Sequence, residues 1–200
     1  SGHRGTGKST AVRAFSQMVH VKLPVTLPIN ATEDRVVGGL DIKKMLKTES
    51  VWKKGLLEEA KKKLLYVDEI NLLDDHIVNI ILDVTATGKL VVARDGNSES
   101  YDVPFTLVGT MNPEEGGLRP QLLDRFGLMV NVTTERDATE RLQVLKNVLT
   151  FEDEWAKREA GETSTFLDQA EAKDKELFDQ LESAKKEVRK VNADKVLPLC

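Results

Sequence analysis

The sequence predicts an α/β fold, a parallel sheet sandwiched by helices, with β-hairpin inserts and a helical C-terminal region. Three observations carry that reading. The apolar runs Leu64–Val67 and Thr106–Gly109 are continuous rather than alternating, as strands buried on both faces must be. Stretches with helical spacing separate the strands up to about Leu149. The chain also opens on Gly2-His3-Arg4-Gly5-Thr6-Gly7-Lys8-Ser9, which spells G-x-x-x-x-G-K-[ST], a glycine-rich loop that in such sheets leads from a strand into a helix.

The elements follow in order. Residues 8–19 read as a helix with Val12, Phe15 and Val19 on one face. Val25–Leu27 reads as a strand, and residues 30–50 as an inserted element with a turn at Gly38-Gly39. Asp75–Thr87 has Ile77, Ile80, Ile81 and Val84 spaced for one buried helical face, and Gly88 ends it. Residues 90–93 and 100–103 flank Asp95-Gly96, the signal of a β-hairpin. Two domains are expected: a nucleotide-binding domain over 1–149 and a helical linker or partial lid over 150–200. In the latter, Leu167, Ala170, Asp174, Leu177, Leu181, Ala184, Val188 and Val191 alternate spacings of three and four. A coiled-coil surface and a long helix packed on its own domain both fit that stripe.

Composition narrows the class. With 200 residues, 40% hydrophobic and 31% charged, the chain is of globular type, and its apolar runs are too short to span a bilayer. The single cysteine, Cys200, excludes an internal disulfide and fits a reducing compartment. Three histidines and one cysteine build no zinc site, and a net charge of −4 without a basic stripe gives no support to nucleic-acid binding.

The motifs point to phosphoryl chemistry. In the loop, backbone N–H groups of Gly2, His3, Arg4, Gly5, Thr6 and Gly7, together with Lys8, Ser9 and Thr10, form the candidate nucleotide cradle. Lys8 is placed to reach the β- and γ-phosphates of ATP, and the Ser9 hydroxyl to ligate Mg²⁺. Leu64–Val67 ends in Asp68-Glu69, the Walker B pattern: set beside the loop's strand, Asp68 holds the Mg²⁺ shell through water and Glu69 polarises the attacking water. Thr106–Gly109 leads to Asn112-Pro113, where Asn112 suits hydrogen bonds to the γ-phosphate and the water, a role called sensor 1. Arg119 and Arg125 flank a short helical stretch; Arg125, oriented by Asp124, is the candidate for neutralising transition-state charge on a neighbouring subunit's nucleotide. Because a loop of this kind follows a buried strand and only Ser1 precedes Gly2, residues upstream of Ser1 are expected.

With these four motifs in this order, the chain resembles an AAA+ ATPase. Asn30-Ala31-Thr32-Glu33-Asp34-Arg35-Val36-Val37-Gly38, the stretch 67–76 and the stretch 109–126 further resemble the I-subunit family of magnesium chelatase. The resemblance implies a hexameric ring with ATP between subunits and Arg125 acting in trans. It implies partners too: a second AAA+ subunit with an integrin-like domain, and a large catalytic subunit that inserts Mg²⁺ into protoporphyrin IX. It implies a cytoplasmic setting, or the plastid stroma in a photosynthetic eukaryote, with no membrane span.

Three departures from the family stand out. The connection near His20-Val21 is short, Lys63 stands where the family carries glycine, and no lid arginine is evident by Cys200; Arg158 and Arg189 are not assigned that role. The competing reading is a MoxR-like AAA+ chaperone acting on a partner with a von Willebrand-type domain. A non-hydrolysing ring subunit is disfavoured by the presence of Lys8, Asp68, Glu69 and Asn112. A DNA translocase is disfavoured by the nearly balanced charge of residues 94–99.

Overall fold

A computed structural model describes residues 1–40, 52–94 and 97–188, which form two compact units, Ser1–Thr134 and Glu135–Cys200. In the first unit, helix α1 (Lys8–His20) leads to β1 (Val25–Leu27), α2 (Glu33–Val37), β2 (Gly38–Leu40) and β3 (Trp52–Lys54). There follow α3 (Leu56–Glu59), β4 (Leu64–Val67), α4 (Asp75–Thr87), β5 (Lys89–Arg94), β6 (Asn97–Asp102), β7 (Thr106–Gly109) and α5 (Pro120–Leu123).

The three strands read from apolar runs form one parallel sheet in the order β1-β4-β7, with Val25 opposite Leu65 and Leu65 opposite Leu107. Strand β4 is central and every residue in it is buried, which accounts for its unbroken apolar sequence. Its side chains alternate between two faces. Leu65 and Val67 join the main core with Leu27, Leu57, Ile70, Ile77, Ile81 and Leu122. Leu64 and Tyr66 lie on the other face, where the Tyr66 hydroxyl meets Ser9 at the start of α1. Gly109 leaves room for Ile70: a Cβ there would stand 2.9 Å from the Ile70 Cγ2.

Several expectations are corrected. The backbone at the start of the loop does not pair with β4, although Ser9 at its end meets the Tyr66 hydroxyl. Gly2 donates its N–H to Met111 O at 3.1 Å and bridges in parallel to Val132, so the chain beyond β7 stands between the start of the loop and the Walker B strand. Gly38-Gly39 is not a turn but part of β2, paired antiparallel with Lys54 and Lys53, a partner that local composition does not reveal. On α1, Phe15 is 43% exposed and the buried residue is Ser16, whose hydroxyl donates to Lys22 O at 2.8 Å. On α4, Val78 is fully buried and Ile80 only partly so, while Gly88 closes the helix at φ 68 as expected. The hairpin forms as β5 and β6; its expected turn, Asp95-Gly96, lies outside the described residues. The short connection after α1 turns at Val21, which takes a left-handed φ of 54, unusual for a β-branched residue. Ahead of β4 the left-handed residue is Lys62, at φ 58, one position before Lys63.

The second unit is built on α6 (Ala138–Glu159) and α7 (Thr165–Val188). Asp137 caps α6 by accepting from the Thr139 and Glu140 N–H groups at 2.8 and 3.0 Å. Arg158 pairs with Asp168 and Glu171 across the loop. The boundary expected at 149/150 falls inside α6. Of the apolar stripe, Leu167 is buried, Leu177 and Val188 are 52% and 69% exposed, and Val191 lies outside the described residues.

Candidate functional site

Arg4, Gly5, Thr6, Gly7, Lys8, Ser9, Thr10, Asp68, Glu69, Thr110, Met111 and Asn112 line one cleft of about 290 Å³. Three chain segments meet there: the loop entering α1, the end of β4 and the end of β7. Parallel strands end on the same side of a sheet, so residues that follow them converge without further design.

The loop's shape comes from its glycines. Gly5 and Gly7 adopt φ 75 and 76, left-handed values that L-side chains disfavour, and Gly7 starts α1. The resulting turn leaves the first N–H groups of α1 facing the cleft at the positive end of the helix dipole. Lys8 is half-buried and its Nζ donates to Gly2 O and His3 O, both at 2.6 Å. The Thr6 hydroxyl donates to His3 O at 2.8 Å, closing the turn.

At the mouth of the loop, charges are paired with the turn after β7. His3 Nδ1 lies 3.3 Å from Glu114 Oε1, and Arg4 pairs with Glu115 while reaching Glu69 Oε1 at 4.0 Å. Glu69 itself takes φ 54, ψ 50, a conformation costing about 1 kcal/mol for a non-glycine residue. This twist turns the chain out of β4 into a short 3₁₀ turn, Ile70–Leu72, and carries the Glu69 carboxylate to the cleft wall.

Below these lies a cluster of hydroxyls around Asp68. Ser9 Oγ donates to Asp68 Oδ2 at 3.4 Å, and Thr110 Oγ1 donates to Asp68 Oδ1 at 2.5 Å. The Tyr66 hydroxyl donates to Ser9 Oγ at 2.9 Å and stands 3.1 Å from Thr110 Oγ1. Burial pushes the Asp68 carboxyl's pKa up. Hydrogen bonds from Thr110 and Ser9, with the nearby Tyr66 hydroxyl and Glu69 backbone N–H, outweigh that effect and leave it below the usual carboxylate value. Asp68 is therefore an anion at neutral pH. Burial also raises the Tyr66 phenol, reinforced by the Asp68 charge and only partly offset by Ser9 and Thr110, so Tyr66 keeps its proton.

An alcohol oxygen and an ionised carboxylate side by side at the foot of a phosphate loop are the donor set that a hard divalent cation prefers. Ser9 and Asp68 thus fit Mg²⁺.

Asn112 is 3% exposed, and its side-chain oxygen accepts from Glu114 N–H at 3.3 Å. It therefore both starts the turn with Pro113 and lines the cleft. The arginines separate clearly. Arg119 donates to Leu73 O at 2.9 Å and pairs with Asp75 at 2.6 Å, holding the start of α4. Arg125 is exposed, with no side-chain partner among the described residues. The expected Asp124–Arg125 pair does not form: both follow α5 and point to solvent. Sequence reasoning missed Tyr66, Thr110, Met111, Glu114 and Glu115; the one signal available was a hydroxyl-bearing aromatic inside the otherwise aliphatic run Leu64–Val67.

The fold and cleft are those of a P-loop nucleotide-binding protein. The profile of the AAA domain, dynein-related subfamily, matches residues 1–126, and the chain belongs to that family. Membership implies use of a nucleotide. Among relatives, an uncharacterised protein of Mycobacterium tuberculosis is 50% identical over 158 residues, covering 76% of this chain and 25% of that protein. The magnesium-chelatase 38 kDa subunit of Rhodobacter capsulatus is 39% identical over 225 residues, covering 96% of this chain and 62% of that protein. The solved complex between subunits BchI and BchD of magnesium chelatase matches with a TM-score of 0.57 at 38% identity, covering 96% of this chain and 68% of that one. The chain thus spans from a quarter to somewhat under two thirds of the curated relatives' length. No described helix is long and apolar enough to cross a membrane.

Proposed function

We propose that the chain is the ATP-hydrolysing motor subunit of a magnesium-chelatase-type complex, coupling hydrolysis in a ring to metal insertion into a tetrapyrrole by a partner subunit. The observation that carries this reading is the meeting of loop, Walker B carboxylates and Asn112 in one cleft. The likeness to chelatase 38 kDa subunits over 96% of the chain supports the client.

In this reading the N–H groups at the start of α1 and the Lys8 ammonium bind the β- and γ-phosphates of ATP. Ser9 and Asp68 are the residues that would hold Mg²⁺, which would supply neutralisation of the phosphate charge. Glu69 accepts the proton of the attacking water, and Asn112 orients that water against the γ-phosphate. His3, Arg4, Thr6 and Thr10 shape the rim of the same cleft. In function the nucleotide-binding domain is proposed to extend over 1–149, with α6 running on across that boundary into a helical linker or partial lid over 150–200. The partners are further copies of the chain in a ring, six by family analogy. A second AAA+ subunit with an integrin-like domain and a large catalytic subunit complete the set, in the cytoplasm or plastid stroma.

Arg125 is proposed to act on the nucleotide of the neighbouring subunit, because its side chain is exposed and engages no partner among the described residues. Arg125→Ala alone should lose ATPase activity by about 10³-fold or more, the range of arginine fingers elsewhere. Mixed with Lys8→Ala protein, it should regain a fraction of the activity, because some interfaces then combine an intact loop with an intact Arg125. Phosphate release measured across mixing ratios checks this; no recovery at any ratio contradicts action in trans.

A further inference from the structure

Tyr66 has no place in the chemistry described so far, yet it is 1% exposed and its hydroxyl reaches Ser9 and Thr110, the two hydroxyls that bond Asp68. Four oxygen contacts link Ser9, Tyr66, Thr110 and Asp68: Ser9–Asp68 at 3.4 Å, Tyr66–Ser9 at 2.9 Å, Tyr66–Thr110 at 3.1 Å and Thr110–Asp68 at 2.5 Å. Only three hydroxyl protons serve these four contacts, because an ionised carboxylate brings none. The two contacts to Asp68 take the protons of Ser9 and Thr110. One proton is left with a choice: that of the Tyr66 phenol, which faces Ser9 Oγ on one side and Thr110 Oγ1 on the other.

That choice matters for a metal ligand. An alcohol bound to a cation gives up lone-pair density to the cation and becomes a weaker acceptor and a stronger donor. Ser9 would then release the phenol proton, which finds Thr110 Oγ1 at 3.1 Å and leaves no buried group unsatisfied. Ser9 would keep its own proton on Asp68. The hydroxyl set is complete with the cation bound or absent, and neither state requires a side chain to change rotamer.

We infer that Tyr66 is a positioning residue for the divalent cation, its phenol holding Ser9 and, through Thr110, Asp68 in the geometry that cation binding requires. The inference rests on the proposed nucleotide site and deepens it. The aromatic ring packs in the sheet face, and the hydroxyl tunes the cation site; the two roles separate in Tyr66→Phe.

The test is a Mg²⁺ titration of the purified protein with a fluorescent ATP analogue, starting in EDTA. Tyr66→Phe is expected to raise the half-saturating Mg²⁺ concentration about fivefold, the worth of one net hydrogen bond, with nucleotide affinity in EDTA unchanged within about twofold. Thr110→Val should shift the Mg²⁺ midpoint the same way, and Thr110→Ser should restore it. A Tyr66→Phe protein with the wild-type Mg²⁺ midpoint overturns the inference. So does an equal loss of affinity in EDTA and in Mg²⁺, which makes Tyr66 a packing residue of the loop. Thermal unfolding of each variant confirms that the folded protein is being titrated. If wild-type protein binds no nucleotide with or without Mg²⁺, the nucleotide reading itself falls, and if it binds nucleotide with no Mg²⁺ dependence, the cation site at Ser9 and Asp68 falls; both outcomes are distinct from a shift missing only in the variants.

Discussion

Lys8→Ala should lower the affinity for Mg-ATP by about 10²–10³-fold, the expected loss for two charge-assisted hydrogen bonds to phosphate. Lys8 is the cleft-lining ammonium at the foot of the loop, and alanine offers no substitute for it. The same side chain donates to Gly2 O and His3 O, so its removal also loosens the loop. A thermal unfolding scan must therefore accompany the binding measurement: a variant that melts like the wild type but binds no nucleotide has lost the phosphate contact. Calorimetry that finds unchanged affinity contradicts the assignment of the loop.

Glu69→Gln should separate binding from turnover. Glutamine has the shape of glutamate and tolerates the same left-handed backbone at φ 54 about as well, so the turn from β4 into the 3₁₀ segment is retained. It cannot accept a proton from water. Nucleotide affinity should stay within a few-fold while kcat falls by about 10²–10⁴, the usual contribution of a general base. Losing the Glu69 charge also leaves Arg4 with only Glu115 across the cleft mouth, a change at an exposed guanidinium worth little by itself. Wild-type hydrolysis by Glu69→Gln would remove Glu69 from the role of base.

Much of the fold was legible because its signals are local. The strands Val25–Leu27, Leu64–Val67 and Thr106–Gly109 and the helix Asp75–Thr87 coincide with their apolar runs and stop signals. Failures came where a tertiary partner decides. Gly38-Gly39 reads as a turn on composition, and only pairing with Lys53 and Lys54 makes it a strand. Phe15 has the apolar character for a buried face, but the polar Ser16 is the residue that α1 buries, with Lys22 O as its acceptor. At the cleft, the motif residues Lys8, Ser9, Asp68, Glu69 and Asn112 could be named in advance, since each belongs to a spaced pattern. Tyr66 and Thr110 could not. Their importance lies in which oxygens face each other across β4, α1 and the end of β7, and no spacing within one segment encodes that.

What the ATP-locked protein holds on to tests the metal-insertion role most directly. Glu69→Gln protein loaded with Mg-ATP would be used as bait in an extract of its source, with Lys8→Ala as the control that cannot load, and the retained proteins identified by mass spectrometry. The expected result is nucleotide-dependent recovery of a large chelatase-type catalytic subunit together with an AAA+ subunit bearing an integrin-like domain. Recovery of only a von Willebrand-domain protein, with no tetrapyrrole enzyme, would contradict the metal-insertion role and assign the motor to a MoxR-like chaperone.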